Sequence, residues 1–366
     1  MKIICNTQQL AEAVSNTQKA VMTKTTMPIL EGILLKTEEN SLRLTGYDLE
    51  IAIVTNIEAQ IIEPGELIIN AKVFSDIIRH IPYDQTIIEA GEDLNCKIYC
   101  GNIEYKMTGI DPKEYPELVV PDNTIETKFP GRTLKDMIRK TIFSVAVTDL
   151  RMIHKGIKFE IHPGELRLVA IDSHRIAIRS EFMETQNTLE FVVPSKTMNE
   201  LMRLIPDDDS FVEFILDKSR ILFKTSGYTI VSRLLEGEFM KYGSIIPKTF
   251  NSMIEVETEP LIRSLERVSL IINERFKAPL KMEFQENNIR VSASTALGAA
   301  TDMIDATVDG DELEIGIQSR YILDALRACE QEKINIKLVN PLSPVCITPT
   351  DGEQYLYLIL PVRLTN

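Results

Sequence analysis

The chain has 366 residues, 44% hydrophobic and 26% charged, with 40 Lys/Arg against 54 Asp/Glu and a net charge of −14. That length suits three domains of ordinary size, and the apolar share supports packed cores, which excludes a disordered chain. No apolar run reaches the ~18 residues of a membrane helix, and five scattered cysteines form neither a disulfide framework nor a zinc site.

Met1-Lys2-Ile3-Ile4-Cys5 reads as a strand without a signal-peptide core, the pattern of a cytoplasmic chain. Leu10, Ala13, Val14 and Val21 then form the stripe of a helix over 7–24. Leu42-Arg43-Leu44-Thr45 alternates as a strand, and Leu67-Ile68-Ile69 is a strand entering a turn. A helix over 72–80 follows, with Val73/Ile77 and Phe74/Ile78/Ile81 on its buried side and Lys72 and Arg79 opposite. Thr86-Ile87-Ile88-Glu89 is the next strand. Cys96-Lys97-Ile98-Tyr99-Cys100 also alternates, so its C-x3-C pair reads as free thiols. Val119-Val120-Pro121 closes the segment.

The same order then recurs. Leu134, Met137, Ile138, Ile142 and Ala146 mark a helix, Leu166-Arg167-Leu168-Val169 a strand and Phe191-Val192-Val193 a strand into a turn. Met198, Leu201, Met202 and Ile205 mark the second helix, Phe211-Val212-Glu213-Phe214 a strand, and Ile245-Ile246-Pro247 the close. A third pass runs through Leu261, Leu265, Val268 and Ile272 on a helix over 261–277, Ile289-Arg290-Val291-Ser292, Leu313–Ile317, then Ile322, Leu323 and Leu326 on a helix. Ile334–Leu338 and Ile359-Leu360-Pro361 complete it.

A charge pattern fixes the register of these copies. Lys72, Asp76 and Arg79 are followed 124 residues later by Lys196, Glu200 and Arg203, and after the same interval by Arg320, Asp324 and Arg327. The chain therefore reads as one unit used three times, with domains at 1–122, 123–248 and 249–366. Each is expected to hold two helices and about eight strands, an α+β unit with helices packed on one side of antiparallel sheets.

Charge divides along the same lines. The six helical segments hold 16 Lys/Arg and 8 Asp/Glu, whereas the rest of the chain holds 24 and 46. Helices sharing one surface would attract phosphate while the remainder repels it. The alternative is that each cation pairs with an acid one turn away on a solvated face.

No glycine-rich phosphate loop, G-x-S-x-G elbow, H-E-x-x-H or calcium loop occurs, and the four histidines sit at no metal spacing, so neither a cofactor nor a metal is expected. Asp172-Ser173-His174-Arg175 reads as consecutive strand residues on alternate faces, which rules out a converging triad. Asp207-Asp208-Asp209 and Asp309-Gly310-Asp311 read as solvated turns. A hydrolase or transferase would need a convergent polar cluster that the sequence does not offer, and a monomeric peptide-binding adaptor is the remaining alternative.

Local motifs carry a resemblance to the bacterial sliding clamp family, the beta subunits of DNA polymerase III. Met27-Pro28-Ile29-Leu30 with Leu42–Glu50 resembles the family's first-domain signature, and Ala170–Ile176 its second-domain A-T-D-x-H-R-L run. Asn273-Glu274-Arg275-Phe276 resembles the third-domain N-E-K/R-F, and Leu360–Leu364 the C-terminal M/L-P-[MV]-R-[LI].

The resemblance implies a non-enzymatic processivity factor: a homodimer closed head to tail into a ring, lined by twelve helices and roughly 38 Å across at helix spacings of about 10 Å. Loose phosphate contacts would let it slide on double-stranded DNA without reading sequence. It places DNA contacts at Lys24, Lys72, Thr148, Arg151 and Lys196; the repeat argument adds Arg79, Arg203 and Arg327. Family members often have glutamine at the position of Thr148 and aromatic residues at those of Met152 and Ile153.

A second implied site is an apolar pocket between the second and third domains. It would receive short linear peptides from the polymerase catalytic subunit, the clamp loader and repair proteins. Its matching positions are Arg151, Ile153, His154, Ile171, His174, Arg175 and Ile176, then Met240 and Ile245. Leu358, Leu360, Pro361, Val362, Arg363 and Leu364 complete it from the C-terminal strand. Thr365-Asn366 extends past the family's usual end. The family's acid-rich dimer segment is here Ser294–Asp305 with two acids, and its basic counterparts are Lys97 and Lys106. An apolar interface of Phe74, Tyr105, Met107, Ile271 and Ile272 is therefore expected, with low salt sensitivity.

Overall fold

The computed structural model describes residues 1–121, 125–148, 151–273 and 278–364. The expected boundary at 122/123, Glu274–Phe276 of the third-domain motif and the Thr365-Asn366 extension lie outside these. Among the described residues are six α-helices: α1 (Thr7–Thr17), α2 (Ala71–Arg79), α3 (Gly131–Ile142), α4 (Ser195–Leu204), α5 (Thr258–Ser269) and α6 (Ser319–Ala328). They also include 24 strands, eight in each third of the chain, and every strand pairing is antiparallel. The expected content of the repeat is thus observed.

The chain forms two compact units. One comprises Met1–Lys135 with Asn199–Leu234, the other Asp136–Met198 with Leu235–Asn366, and each holds one twelve-stranded sheet.

In the first unit, α1 starts where the Asn6 side chain accepts from the Gln9 amide at 3.0 Å, and α2 where Asn70 accepts from Val73 at 3.1 Å. Both caps satisfy amides that a helix start leaves open. α1 buries Leu10, Ala13, Val14 and Thr17 against strand Ser41–Tyr47. Gly46 permits this approach, since a Cβ there would lie 2.0 Å from the Thr17 carbonyl oxygen. The regular helix stops at Thr17 and passes into the 3-10 turn Gln18–Ala20, so it is shorter than the stripe ending at Val21 suggested. On α2, Ala71, Phe74, Ser75 and Ile78 are buried, but Val73 is 48% exposed and leaves the expected stripe.

The second unit packs α5 and α6 on its sheet. Leu261, Leu265 and Val268 meet Ile322, Leu323 and Leu326 in one core with Tyr355, Tyr357 and Ile359. α5 ends at Ser269, so Ile272 follows the helix instead of lying on it.

Finer marks repeat as well. Asp48 accepts from the amides of Glu50 and Ile51, and Asp172 from those of His174 and Arg175. The Asp172–Arg175 run is therefore a side-chain-capped turn leading into strand Arg175–Glu181, which corrects the strand expected there. Asp309 and Gly310 close a strand, whereas Asp207–Asp209 do lie outside regular elements. Each repeat's tail also bonds back across its fifth strand: Ile68 with Ile110, Val192 with Leu235, and Gly316 with Val362.

Candidate functional site

Lys24 is exposed on a bend after the Gln18–Ala20 turn, and Lys72 and Lys196 are exposed in the first turns of α2 and α4. Thr148 and Arg151 are exposed in the segment after α3. The repeat arginines are exposed too, and each has an acid beside it. Arg79 lies 3.7 Å from Asp76, Arg203 2.8 Å from Glu200, and Arg327 2.6 Å from Glu266 on α5. The local ion pairing weighed from sequence is thus present at Arg79 and Arg203, whereas Arg327 pairs across to the neighbouring helix. With arginine side chains 55–60% exposed, such pairs are worth about 0–1 kcal/mol and exchange readily for phosphate.

The residues expected to line the peptide pocket all belong to the second unit. Strand Tyr355–Ile359 pairs with Arg175–Glu181, which sets Leu358 opposite Ile176. Ile171, Ile176 and Leu358 form a buried floor with Val169, Ile178 and Tyr242, and the half-buried Met240, Ile245 and Phe239 pack on it. Past the strand, the Leu360 amide donates to the His174 carbonyl at 2.8 Å and the Val362 amide to Gly316 at 2.8 Å. These bonds hold Leu360 and Val362, 37% and 40% exposed, as apolar surface. Pro361 and Leu364 are half-buried, and Arg363 and His174 are exposed.

Three positions behave differently from the sequence reading. His154 is fully buried and packs edge-on against Phe239, 5.5 Å between centroids, and Ile153 is 5% exposed. Both support the wall from behind, because neither presents surface. Arg175 is 6% exposed: Asp172 holds its Nε at 2.9 Å and Asp324 its Nη1 at 2.7 Å. Its guanidinium lies 4.6 Å from the Tyr321 ring and 5.6 Å from that of Phe143. It braces the floor; its donors are not free to reach a ligand.

Tyr321, Phe143 and Asp324 were missed from sequence. Tyr321 stacks on His174 at 5.5 Å and makes an aromatic shelf beside the floor. The tyrosine inside the Arg320–Asp324 pattern was the only available signal.

A polar network anchors the wall. The Tyr242 hydroxyl donates to Glu160 Oε2 at 2.6 Å, and Lys158 joins Glu160 to Glu190 at 2.7 and 2.8 Å. Burial, and then the bond to Glu160, push the Tyr242 hydroxyl well above its ordinary pKa, so it stays a donor.

Of the expected interface residues, Tyr105 and Met107 are half-buried on strand Ile103–Thr108, the edge of the first unit's sheet. Phe74 is fully buried in that unit's core and so cannot form part of a contact surface. Ile271 and Ile272 are half-buried beside Leu270, which is 82% exposed and was missed.

Burial raises the thiols of Cys5 and Cys96 to about 12 and about 11, away from nucleophilic use. Among the described residues no group of three His, Cys, Asp or Glu is placed to hold a metal, and no helix is long and apolar enough to cross a membrane.

Family models for the DNA polymerase III beta subunit match the chain in order: the N-terminal domain over 1–119, the central domain over 128–241 and the C-terminal domain over 243–363. The beta sliding clamp of Halalkalibacterium halodurans is 30% identical, covering 99% of this chain and all of its own. The crystal structure of the Bacillus subtilis sliding clamp superposes with a TM-score of 0.96 at 29% identity over the whole of both chains. The Pseudomonas aeruginosa sliding clamp, solved bound to griselimycin, gives 0.94 at 25% identity, again over both whole chains.

Proposed function

The chain belongs to the family of DNA polymerase III beta subunits, the beta sliding clamps, and on that premise we propose that it is a cytoplasmic processivity factor, not an enzyme. Two copies close head to tail around duplex DNA, and the ring tethers a polymerase to the template. Three domains meeting near residues 122 and 248 build each half.

The observation that carries this reading is a pair of unmatched strand edges. Strand Tyr228–Arg233 docks on the long strand Ile51–Glu63 with Tyr228 opposite Thr55. Strand Tyr355–Ile359 docks on Arg175–Glu181 with Tyr355 opposite Arg179. In each case the eighth strand of one repeat joins the fourth strand of the repeat before it. Two such edges remain. The eighth strand of the first repeat, Ile103–Thr108, pairs on one side only, and among the described residues nothing covers the outer side of Gly298–Met303 on the third repeat's long strand. Exposed strand edges invite pairing, and a second copy supplies the complement of each.

The register follows from the copies. Leu42 pairs with Ile57, Leu166 with Glu181 and Ile289 with Ile304, which makes Thr55, Arg179 and Asp302 equivalent. A second copy's Ile103 then faces Asp302, its Tyr105 faces Ala300, and its Met107 faces Gly298. Tyr105 and Met107 thereby reach the apolar run Leu270–Ile272.

Once the ring is closed, topology retains the DNA and contacts can stay loose. Lys24, Lys72, Lys196, Thr148, Arg151 and the repeat arginines Arg79, Arg203 and Arg327 serve as exchangeable phosphate contacts. The apolar pocket takes short peptides from the polymerase catalytic subunit, the clamp loader and repair proteins. An apolar anchor seats on Ile171, Ile176 and Leu358, between Met240 and Leu360.

The test is retention after loading. The protein should stay on nicked circular DNA through gel filtration and be lost once the circle is cut. Equal loss from circles and linear DNA would end the ring reading.

A further inference from the structure

Each repeat folds its tail back across its fifth strand, but the residue beneath the tail differs. In the first repeat it is Ile68, which exchanges amide-to-carbonyl bonds of 3.1 and 2.9 Å with Ile110. In the second it is Val192, whose carbonyl accepts from the Leu235 amide at 2.9 Å. In the third it is Gly316, whose carbonyl accepts from the Val362 amide at 2.8 Å. We infer that Gly316 is a positioning residue of the peptide pocket: its bare backbone seats residues 360–364 and so sets the height of the apolar rim. The inference rests on the pocket reading and adds to it a buried residue that offers no surface to a peptide.

Strand register makes the three positions equivalent. Ile33 pairs with Ile69, Ile157 with Val193 and Leu280 with Ile317. Residues 68, 192 and 316 stand one place before the fifth-strand members of these pairs. Gly32, Gly156 and Pro279 stand one place before the second-strand members.

In the first two repeats the glycine is on the second strand, and a β-branched side chain from the fifth strand covers it. A Cβ at Gly32 would lie 2.2 Å from Ile68 Cγ2, and one at Gly156 2.8 Å from Val192 Cγ1. The third repeat exchanges the sizes: proline stands at 279 and the glycine is on the fifth strand. What covers Gly316 is the tail. The three atoms nearest to an added Cβ are the Val362 carbonyl oxygen at 2.3 Å and Leu364 Cδ2 and Cγ at 2.9 and 3.1 Å.

Ordinary contact starts near 3.4 Å, so any side chain at 316 would push the tail outward by about 1 Å. A glycine inside a strand is entropically costly and packs nothing, and a close backbone approach is a reason to keep one there. The exchange occurs in the repeat whose tail carries the exposed apolar residues Leu360 and Val362. Main-chain bonds tie this tail at Leu360, to His174, and at Val362, to Gly316. A shift at Gly316 therefore moves Val362 relative to Leu360 and alters the shape an apolar anchor meets.

Gly316→Ala tests this by adding one methyl group against the tail. Binding of the purified polymerase catalytic subunit of the same organism, read by biolayer interferometry, should weaken about tenfold. The urea midpoint and retention on nicked circular DNA should not fall, because alanine suits a strand interior better than glycine. The five native cysteines are buried, so a nitroxide can be placed on Arg363→Cys alone, and it should become more mobile in the Gly316→Ala chain. Val362→Pro reaches the same seat from the tail: it removes the amide that donates to Gly316 and should weaken binding at least as much. Unchanged affinity in either variant, or weaker binding with the nitroxide no more mobile, would overturn the inference and leave the pocket in place. So would an affinity loss in Gly316→Ala accompanied by a lower urea midpoint, which would make the glycine a requirement of the fold. A wild-type chain that does not bind the subunit, or that binds it equally well with Leu360→Asp, would overturn the pocket reading itself.

Discussion

Where Tyr228–Arg233 docks on the first repeat's long strand, the side chains that hydrogen-bond across the seam are neutral: Asn16 on α1, Thr55 on the strand and the Tyr228 hydroxyl. Where Tyr355–Ile359 docks on Arg175–Glu181, the equivalent positions are Lys140 and Arg179, with side chains 8% exposed. Asp136 lies 3.0 Å from Lys140 and 3.6 Å from Arg179, and Glu330 takes both Lys140 and Arg139. Glu181 pairs with Arg179, and Arg175 bridges Asp172 and Asp324. One backbone plan thus carries two chemistries. A neutral seam asks little of its geometry, whereas a buried ionic seam is stable only with every partner in place. The ionic seam is the one beneath the proposed peptide pocket, where a fixed floor matters.

The comparison breaks most visibly at Arg175. Arg175→Ala leaves Asp172 without its cation and Asp324 with only Arg320, 3.9 Å away, and should cost about 3–5 kcal/mol, read as a lower urea midpoint. Arg175→Met with Asp324→Leu should recover most of the loss, because an apolar pair of similar volume replaces a buried ionic one at little cost. No recovery would mean that the aromatic stacking, not the charge, stabilises the seam. Lys140→Met should cost less, about 1–3 kcal/mol, because Glu330 is half-exposed and can rehydrate.

Acid sharpens the contrast. Burial pushes the Asp136 carboxyl upward, but hydrogen bonds from Arg139 and Lys140 and the charge of Arg179 outweigh it and hold the group below its ordinary value. A carboxyl depressed in the folded state contributes stability that is complete above its unfolded pKa, near 4, and is lost as pH falls through the folded value. The stability gap between the wild type and Asp136→Asn should therefore be constant from pH 7 to 5 and shrink below about pH 4. A gap that does not change with pH would show that Asp136 acts by shape alone.

Much of this was open to a reader of the sequence, because local periodicity repeated three times in register. The helices, the strand count and the sheet pairing of the apolar tail Tyr355–Ile359 follow from patterns within a few residues. What was hidden depends on distant partners. Asp324 reads as a helix-face acid for Arg320, yet its strong bond is to Arg175, 149 residues away. Phe74 lies on the buried stripe that its spacing predicts, and the interface role implied by the resemblance fails because the core of its own unit fills that stripe. Val73 fits the period but faces out. No periodicity tells which strand lies at a sheet edge, since edge and interior strands of an antiparallel sheet alternate alike.

The neutral seam should yield smaller effects. Tyr228→Phe removes the hydroxyl that accepts from Asn16 and keeps the ring, so about 1 kcal/mol should be lost. The partner amide is half-buried and can turn to water. A loss near that of Arg175→Ala would abolish the distinction between the seams.

Smallest of all should be Arg203→Gln. The arginine is 60% exposed and its partner Glu200 lies one turn back on α4, so stability should move by less than about 0.5 kcal/mol. Its consequence should appear on DNA instead. Losing one exchangeable phosphate contact lowers the slope of log affinity against log salt by about 1. Charge at this position would then serve the ligand and not the fold, the reverse of Arg175. A destabilised variant with an unchanged salt slope would assign Arg203 to the fold and remove it from the proposed DNA surface.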